Sequence, residues 1–186
     1  IEYRKKAGKI ANLDAEIAGD PLPESGLGIG HTRWATHGGP TDFNAHPHVS
    51  ANGRVALIHN GIIENFAPLR AELQAAGIEF NSETDTEVAA KLVGREYDRL
   101  GDHTEAMRAV VSRLEGAFTL LAVHADSPGV VVGARRNSPL VVGLGDGANF
   151  LGSDVAAFIG YTRHALELGQ DQIVTITPDG YEVIAF

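Results

Sequence analysis

Val55-Ala56-Leu57-Ile58-His59-Asn60-Gly61 reads as a short buried strand running into polar residues: four apolar side chains, too few for a helix, then an imidazole, an amide and a glycine. Asn-Gly is the commonest tight-turn dipeptide, so the strand is expected to end in a turn there. Downstream the period changes to that of helices. Asn65 is placed as an N-cap, with Pro68 in the first turn, Leu69 and Leu73 on one face and Gly77 as the stop. Thr84-Asp85-Thr86-Glu87 has the capping-box pattern, in which Thr84 and Glu87 would satisfy each other's backbone donors, ahead of a stripe of Val88, Ala89, Leu92 and Val93. A third helix is predicted from near Thr104, carrying Met107, Val110, Val111 and Leu114 on one side.

From Ala117 onward the pattern is that of strands. Phe118 to Val123, Val130 to Ala134 and Leu140 to Leu144 are apolar runs separated by Ser127-Pro128-Gly129 and Asn137-Ser138-Pro139. Gly143 to Gly147 lacks the spacing of a dinucleotide loop, and Asp146-Gly147 reads as a hairpin turn. Ser153 to Phe158 reads as one short helix capped by Ser153 or Asp154, and the chain closes on a hairpin around Pro178-Asp179-Gly180. At the other end, Ile1 onward looks like the middle of a strand, and Gly19 to Gly28 like a surface connection. Strands, then helices, then strands favour an α+β fold with antiparallel sheets over a doubly wound parallel one, in one domain over residues 1–186.

With 15 Lys and Arg against 24 Asp and Glu, the net charge of −9 speaks against nucleic acid or an anionic membrane as the main partner. A hydrophobic fraction of 44% and a charged fraction of 21% are those of a soluble globular chain, and no apolar run is long enough for a bilayer span. The absence of cysteine excludes a disulfide framework, a thiolate zinc site and any thiol nucleophile within these 186 residues. No initiator Met is present, and the chain is expected to be part of something longer.

Chemistry-bearing residues crowd into His31-Thr32-Arg33-Trp34-Ala35-Thr36-His37, followed by the flexible Gly38-Gly39-Pro40 and by Asn44-Ala45-His46-Pro47-His48. Arg33 offers a planar fork for a carboxylate or phosphate, and Trp34 could close over a ligand; the plainer alternative has Arg33 pairing on the surface and Trp34 filling core. His46 and His48 would face one side of a strand, yet no carboxylate stands at a convincing ligand spacing, so structural histidines are preferred to a metal site. Asn60 and Gly61 offer two adjacent donors, a side-chain amide and a backbone N–H, usable as an oxyanion hole; the alternative is the turn already described. Asp85 reads either as a helix-start carboxylate favoured by the dipole or as the acceptor of a substrate ammonium.

These motifs, in this order, resemble the glutaminase domain of the isomerising glutamine:fructose-6-phosphate aminotransferases, or glucosamine-6-phosphate synthases, a family of class II amidotransferases. His31 to Gly38, Asn44 to His48, His59-Asn60-Gly61-Ile62-Ile63-Glu64-Asn65 and Thr84-Asp85-Thr86-Glu87 carry the resemblance, together with Ser138-Pro139-Leu140 and Gly152-Ser153-Asp154. It implies an N-terminal-nucleophile fold, a four-layer αββα sandwich, here expected to lack its first strand. It also implies hydrolysis of L-glutamine without a cofactor or metal, in a cytoplasmic, homodimeric enzyme. Its linked C-terminal isomerase domain would pass the ammonia to fructose 6-phosphate. By carry-over, Arg33 would bind the substrate α-carboxylate and Asp85 its α-ammonium, with Thr36 and His37 lining the site. Trp34 would belong to the closing loop, Asn60 and Gly61 would form the oxyanion hole, and His31, His46, His48 and His59 would support them. The family's nucleophile is an amino-terminal cysteine, so the chain as written is expected to be inactive; a dead glutamine-binding or regulatory homologue is the alternative.

Overall fold

The computed structural model describes all 186 residues, in the order α1 (Ile10–Gly19), β1 (His48–Val49), β2 (Val55–Ile63), α2 (Phe66–Ala75), α3 (Asp85–Leu100), α4 (His103–Val111), β3 (Gly116–His124), β4 (Val131–Arg136), β5 (Val141–Leu144), β6 (Asn149–Gly152), a 3-10 turn at Val155–Ala157, β7 (His164–Glu167), β8 (Gln172–Thr177) and β9 (Gly180–Ala185). The strands form two antiparallel sheets, one of six in the order β1-β2-β3-β4-β8-β9 and one of three in the order β6-β5-β7.

Alternation along β2, β3 and β4 assigns their two faces. Val55, Leu57, Phe118, Leu120, Val132 and Ala134 join Leu73, Leu92, Val93, Met107 and Val110 in a core between the large sheet and α2–α4. On the opposite face Ala56, Val123, Val131, Val174 and Ile176 pack with Leu140, Val142 and Leu168 in a second core under the small sheet. Beyond the small sheet the helical contribution is the single 3-10 turn, whose neighbour Phe158 lies so close over β5 that a Cβ on Gly143 would stand 2.6 Å from its ring.

The expected turn at Asn60-Gly61 is absent. Strand β2 continues through both residues, with Asn60 opposite Thr119 and Gly61 opposite Phe118. Glycine is required there for a tertiary reason: Gly61 has φ +119°, and a Cβ would stand 2.1 Å from the Ala117 carbonyl oxygen. The expected strand at the start is also absent. Residues 1–9 are irregular, tied down by the Arg4 guanidinium on Asp20 and by the Lys5 amine on the carbonyls of Ala45, Phe43 and Pro47. Helix α1 has no capping side chain to announce it, and although Ile10, Leu13 and Ile17 recur at helical spacing, none of its residues is buried. Strand β7 escaped the sequence reading because all four of its residues are exposed.

Two caps differ in detail. Thr84 Oγ1 accepts from the Glu87 N–H at 3.2 Å, but the return half of the box is diverted: the Glu87 carboxylate accepts from the backbone N–H groups of Ser82 at 2.7 Å and Asn81 at 2.9 Å. Asn65 does not cap α2; its side chain instead bridges the Arg113 carbonyl and the Glu115 N–H.

Candidate active site

The end of β2, the first turn of α3 and the segment 31–48 converge on a cavity of about 340 Å³ lined by His31, Arg33, Trp34, Thr36, His46, His59, Asn60, Gly61 and Asp85. His37 and His48 flank it. The α3 cap explains how Asp85 comes to face this cavity. Thr84 is the N-cap, so Asp85 is the first helical residue, and its Oδ2 turns onto the Ile63 N–H at 2.8 Å. The carboxylate is 3% exposed and lies 3.7 Å from His37 Nδ1 and 3.9 Å from His59 Nδ1. It therefore joins β2 to α3 and presents negative charge to the cavity beside two imidazoles.

Asn60 faces the same space. His31 Nε2 lies 2.7 Å from its Oδ1, while its Nδ2 makes no hydrogen bond within the protein. With Gly61 adjacent, the cavity holds a side-chain donor next to a backbone stretch bare of any side chain.

Arg33 pairs with no carboxylate. Its guanidinium donates to the Gly38 and Gly39 carbonyls at 3.0 Å each and to the His37 carbonyl, closing the 33–39 loop on itself. Trp34 is 90% exposed, which removes the core-filling alternative. The His37 ring packs tilted against Phe66, with centroids 4.6 Å apart, so the loop touches the scaffold at the start of α2.

The histidines form a hydrogen-bonded layer behind the cavity. Thr86 Oγ1 lies 3.0 Å from His59 Nδ1 and 3.1 Å from His46 Nε2, and Thr84 Oγ1 lies 3.0 Å from His48 Nε2. The His31 and His46 rings pack tilted with centroids 4.2 Å apart, and His46 meets His48 edge-on at 5.2 Å. Burial pushes His48 down to about 4, aided by the Lys5 charge, and pushes His59 down as well, against the pull of Asp85. Burial and the neighbouring imidazoles hold His46 far below the ordinary histidine value. Burial also lowers His31, its hydrogen bond to Asn60 opposing. Neutral rings turned onto hydroxyls and an amide suit support; no group of three or more His, Asp or Glu side chains is placed to hold a metal ion. His46 and His48 do not share a strand, since β1 begins at His48 after a cis His46–Pro47 bond. The Thr86 hydroxyl, which joins His59 to His46, went unassigned because in sequence it is one more residue of a capping box.

A family model described as a glutamine amidotransferase domain matches residues 19–182. Over 188 residues the chain is 66% identical to a protein of Corynebacterium glutamicum named glutamine--fructose-6-phosphate aminotransferase [isomerizing], covering 100% of this chain and 30% of that protein. A protein of the same name from Streptomyces coelicolor is 67% identical over 182 residues, covering 98% and 30% respectively. The chain thus spans about 30% of the length of the curated relatives it matches. Among solved structures, a Bacillus subtilis glutamine phosphoribosylpyrophosphate amidotransferase superposes with a TM-score of 0.68 at 27% identity, covering 83% of this chain and 34% of that one. No helix is long and apolar enough to cross a membrane.

Proposed function

The chain belongs to the glutamine amidotransferase domain family, and from that premise we propose that it hydrolyses L-glutamine to glutamate and ammonia as one part of a longer cytoplasmic enzyme. The observation that carries this reading is the juxtaposition, in one cavity, of the Asn60–Gly61 donor pair with the buried Asp85 carboxylate. A thiol attacks the side-chain amide carbon, its proton passing to the departing nitrogen so that ammonia leaves, and water then cleaves the resulting γ-glutamyl thioester to glutamate and the free thiol. None of the 186 residues is a cysteine, so the thiol comes from outside them. In the tetrahedral intermediates the Asn60 amide and the Gly61 N–H take the developing negative charge. Asp85 receives the α-ammonium, and Arg33, whose fork has donors beyond those on the loop carbonyls, receives the α-carboxylate. Thr36 and His37 line the substrate, and Trp34 covers it. The relatives are named for fructose 6-phosphate, so we take that sugar phosphate as the acceptor of the ammonia, in a linked isomerase domain of a homodimer and giving glucosamine 6-phosphate.

The zero cysteine count favours one second reading, a homologue that binds glutamine without turning it over. Glutamate release by the full-length protein separates the two: steady turnover supports the enzyme, and its absence with glutamine still bound supports the binding module. In the active protein, Arg33→Ala is expected to raise KM for glutamine at least about tenfold, the loss of a charge-assisted pair. An unchanged KM would end the carboxylate assignment.

A further inference from the structure

We propose that His31 is a positioning residue for glutamine hydrolysis, donating its Nε2–H to Asn60 Oδ1 and so holding the Asn60 amide with Nδ2 toward the cavity. This rests on the reading of Asn60 as an oxyanion donor. The two ends of a carboxamide are nearly equal in size, and rotation about its last torsion is soft, so packing alone chooses poorly between them. The choice falls to whatever bonds the far end. Here the far end is Oδ1, 2.7 Å from His31 Nε2, and Nδ2 has no partner within the protein. Rotated by half a turn, the residue would offer an oxygen to the developing oxyanion and repel it.

His31 is equipped to make that choice. Its ring packs against that of His46, with centroids 4.2 Å apart and planes tilted by 30°, and His46 is itself held by Thr86 Oγ1 at 3.1 Å and by the His59 N–H at 3.4 Å. Burial disfavours the imidazolium and outweighs the opposing pull of the hydrogen bonds to Asn60 and the His59 backbone, with the Arg33 charge adding to burial, leaving a neutral ring with a single N–H. With that hydrogen on Nε2, the short contact to Oδ1 is a donor meeting an acceptor. With it on Nδ1, two lone pairs would face each other. The chain of contacts therefore runs from Thr86, in the first turn of α3, through His46 and His31 to the Asn60 amide on β2. Such a donor is fixed before substrate arrives, which is what makes an oxyanion contact effective.

A double-mutant cycle in the full-length enzyme tests the coupling, with glutamate release as the readout. His31→Phe keeps the ring on His46 and deletes the donor; it is expected to lower kcat about tenfold with KM within about twofold. Asn60→Ala is expected to lower kcat by about 10² to 10³. The double variant should be no slower than Asn60→Ala alone, because the residue His31 positions is already gone. His31→Gln, which retains an N–H donor, should recover kcat to within about threefold of the parent. Multiplicative losses in the double variant, an effect of His31→Phe on KM instead of kcat, or no effect at all would overturn the positioning role. Normal turnover in Asn60→Ala would overturn the oxyanion reading beneath it, a separate result. If thermal melting shows that His31→Phe does not fold, His31→Leu runs the same cycle.

Discussion

Asn60 and Asp85 stand on β2 and on the first turn of α3, whereas Arg33 and Trp34 stand on a segment with no regular structure. The first pair is held by two long-range bonds, Asp85 to the Ile63 N–H and Asn60 to His31, and by the local α3 cap at Thr84. The second pair is held within its own loop, by Arg33 on the carbonyls of residues 37–39, and Trp34 is almost wholly in solvent. The two walls of the cavity thus differ in what they suit. Charge stabilisation during a reaction needs groups that do not move, and a ladder-bonded strand and a capped helix supply them. Capture and release of a substrate need a segment that opens at low cost, and a loop bonded mainly to itself supplies that.

That division sets which kinetic or stability parameter each substitution should move. The largest effect belongs to the anchored wall: Asn60→Ala should lower kcat of the full-length enzyme by about 10² to 10³, roughly 2.7 to 4 kcal/mol, with little change in KM. A pure KM effect in steady-state glutaminase assays would place Asn60 with the capture loop instead. Next, Gly61→Ala should destabilise the fold by about 3 kcal/mol, since it combines a positive φ with a clash against the Ala117 carbonyl. Urea unfolding followed by circular dichroism reads this directly.

Smaller effects test the supporting layer and the loop. His48 resists protonation down to about 4 in the fold, while the unfolded chain takes up that proton near 6.5. Between those values the unfolded state binds more protons, so stability is full above about pH 6.5 and is lost as pH falls toward 4. His48→Gln should flatten that slope by about one proton in denaturation measured at several pH values. An unchanged slope would show that the layer is more solvated than its burial indicates. The smallest stability effect belongs to Trp34→Ala, expected below about 0.5 kcal/mol because the side chain is exposed, while KM for glutamine rises. A large fall in melting temperature would mean that the loop is anchored after all.

Much of the scaffold was legible locally. Helix α3 announces itself through Thr84 and its apolar stripe, and the final hairpin through Pro178-Asp179-Gly180, because caps and turns depend on residues a few positions apart. The misreadings share a cause. Asn60-Gly61 has the local chemistry of a turn, yet β3 pairs with it and carries the strand through; Glu87 has the chemistry of a capping box, yet the 81–82 backbone takes its carboxylate. In both places a partner from outside the motif outcompeted the local preference.

By itself, the sequence determined the α+β class, the start of α3 and the set of side chains capable of acyl-transfer chemistry, since these depend on residue type and short spacing. Only the tertiary structure decided that Asn60 and Gly61 lie in a strand, that Asp85 turns onto Ile63, that Trp34 stands in solvent and that His31 meets Asn60. Apart from the solvent exposure of Trp34, which no contact claims, each follows from a contact between distant segments, where sheet pairing, steric exclusion and the pairing of buried polar groups choose among conformations that local sequence leaves nearly equal in energy.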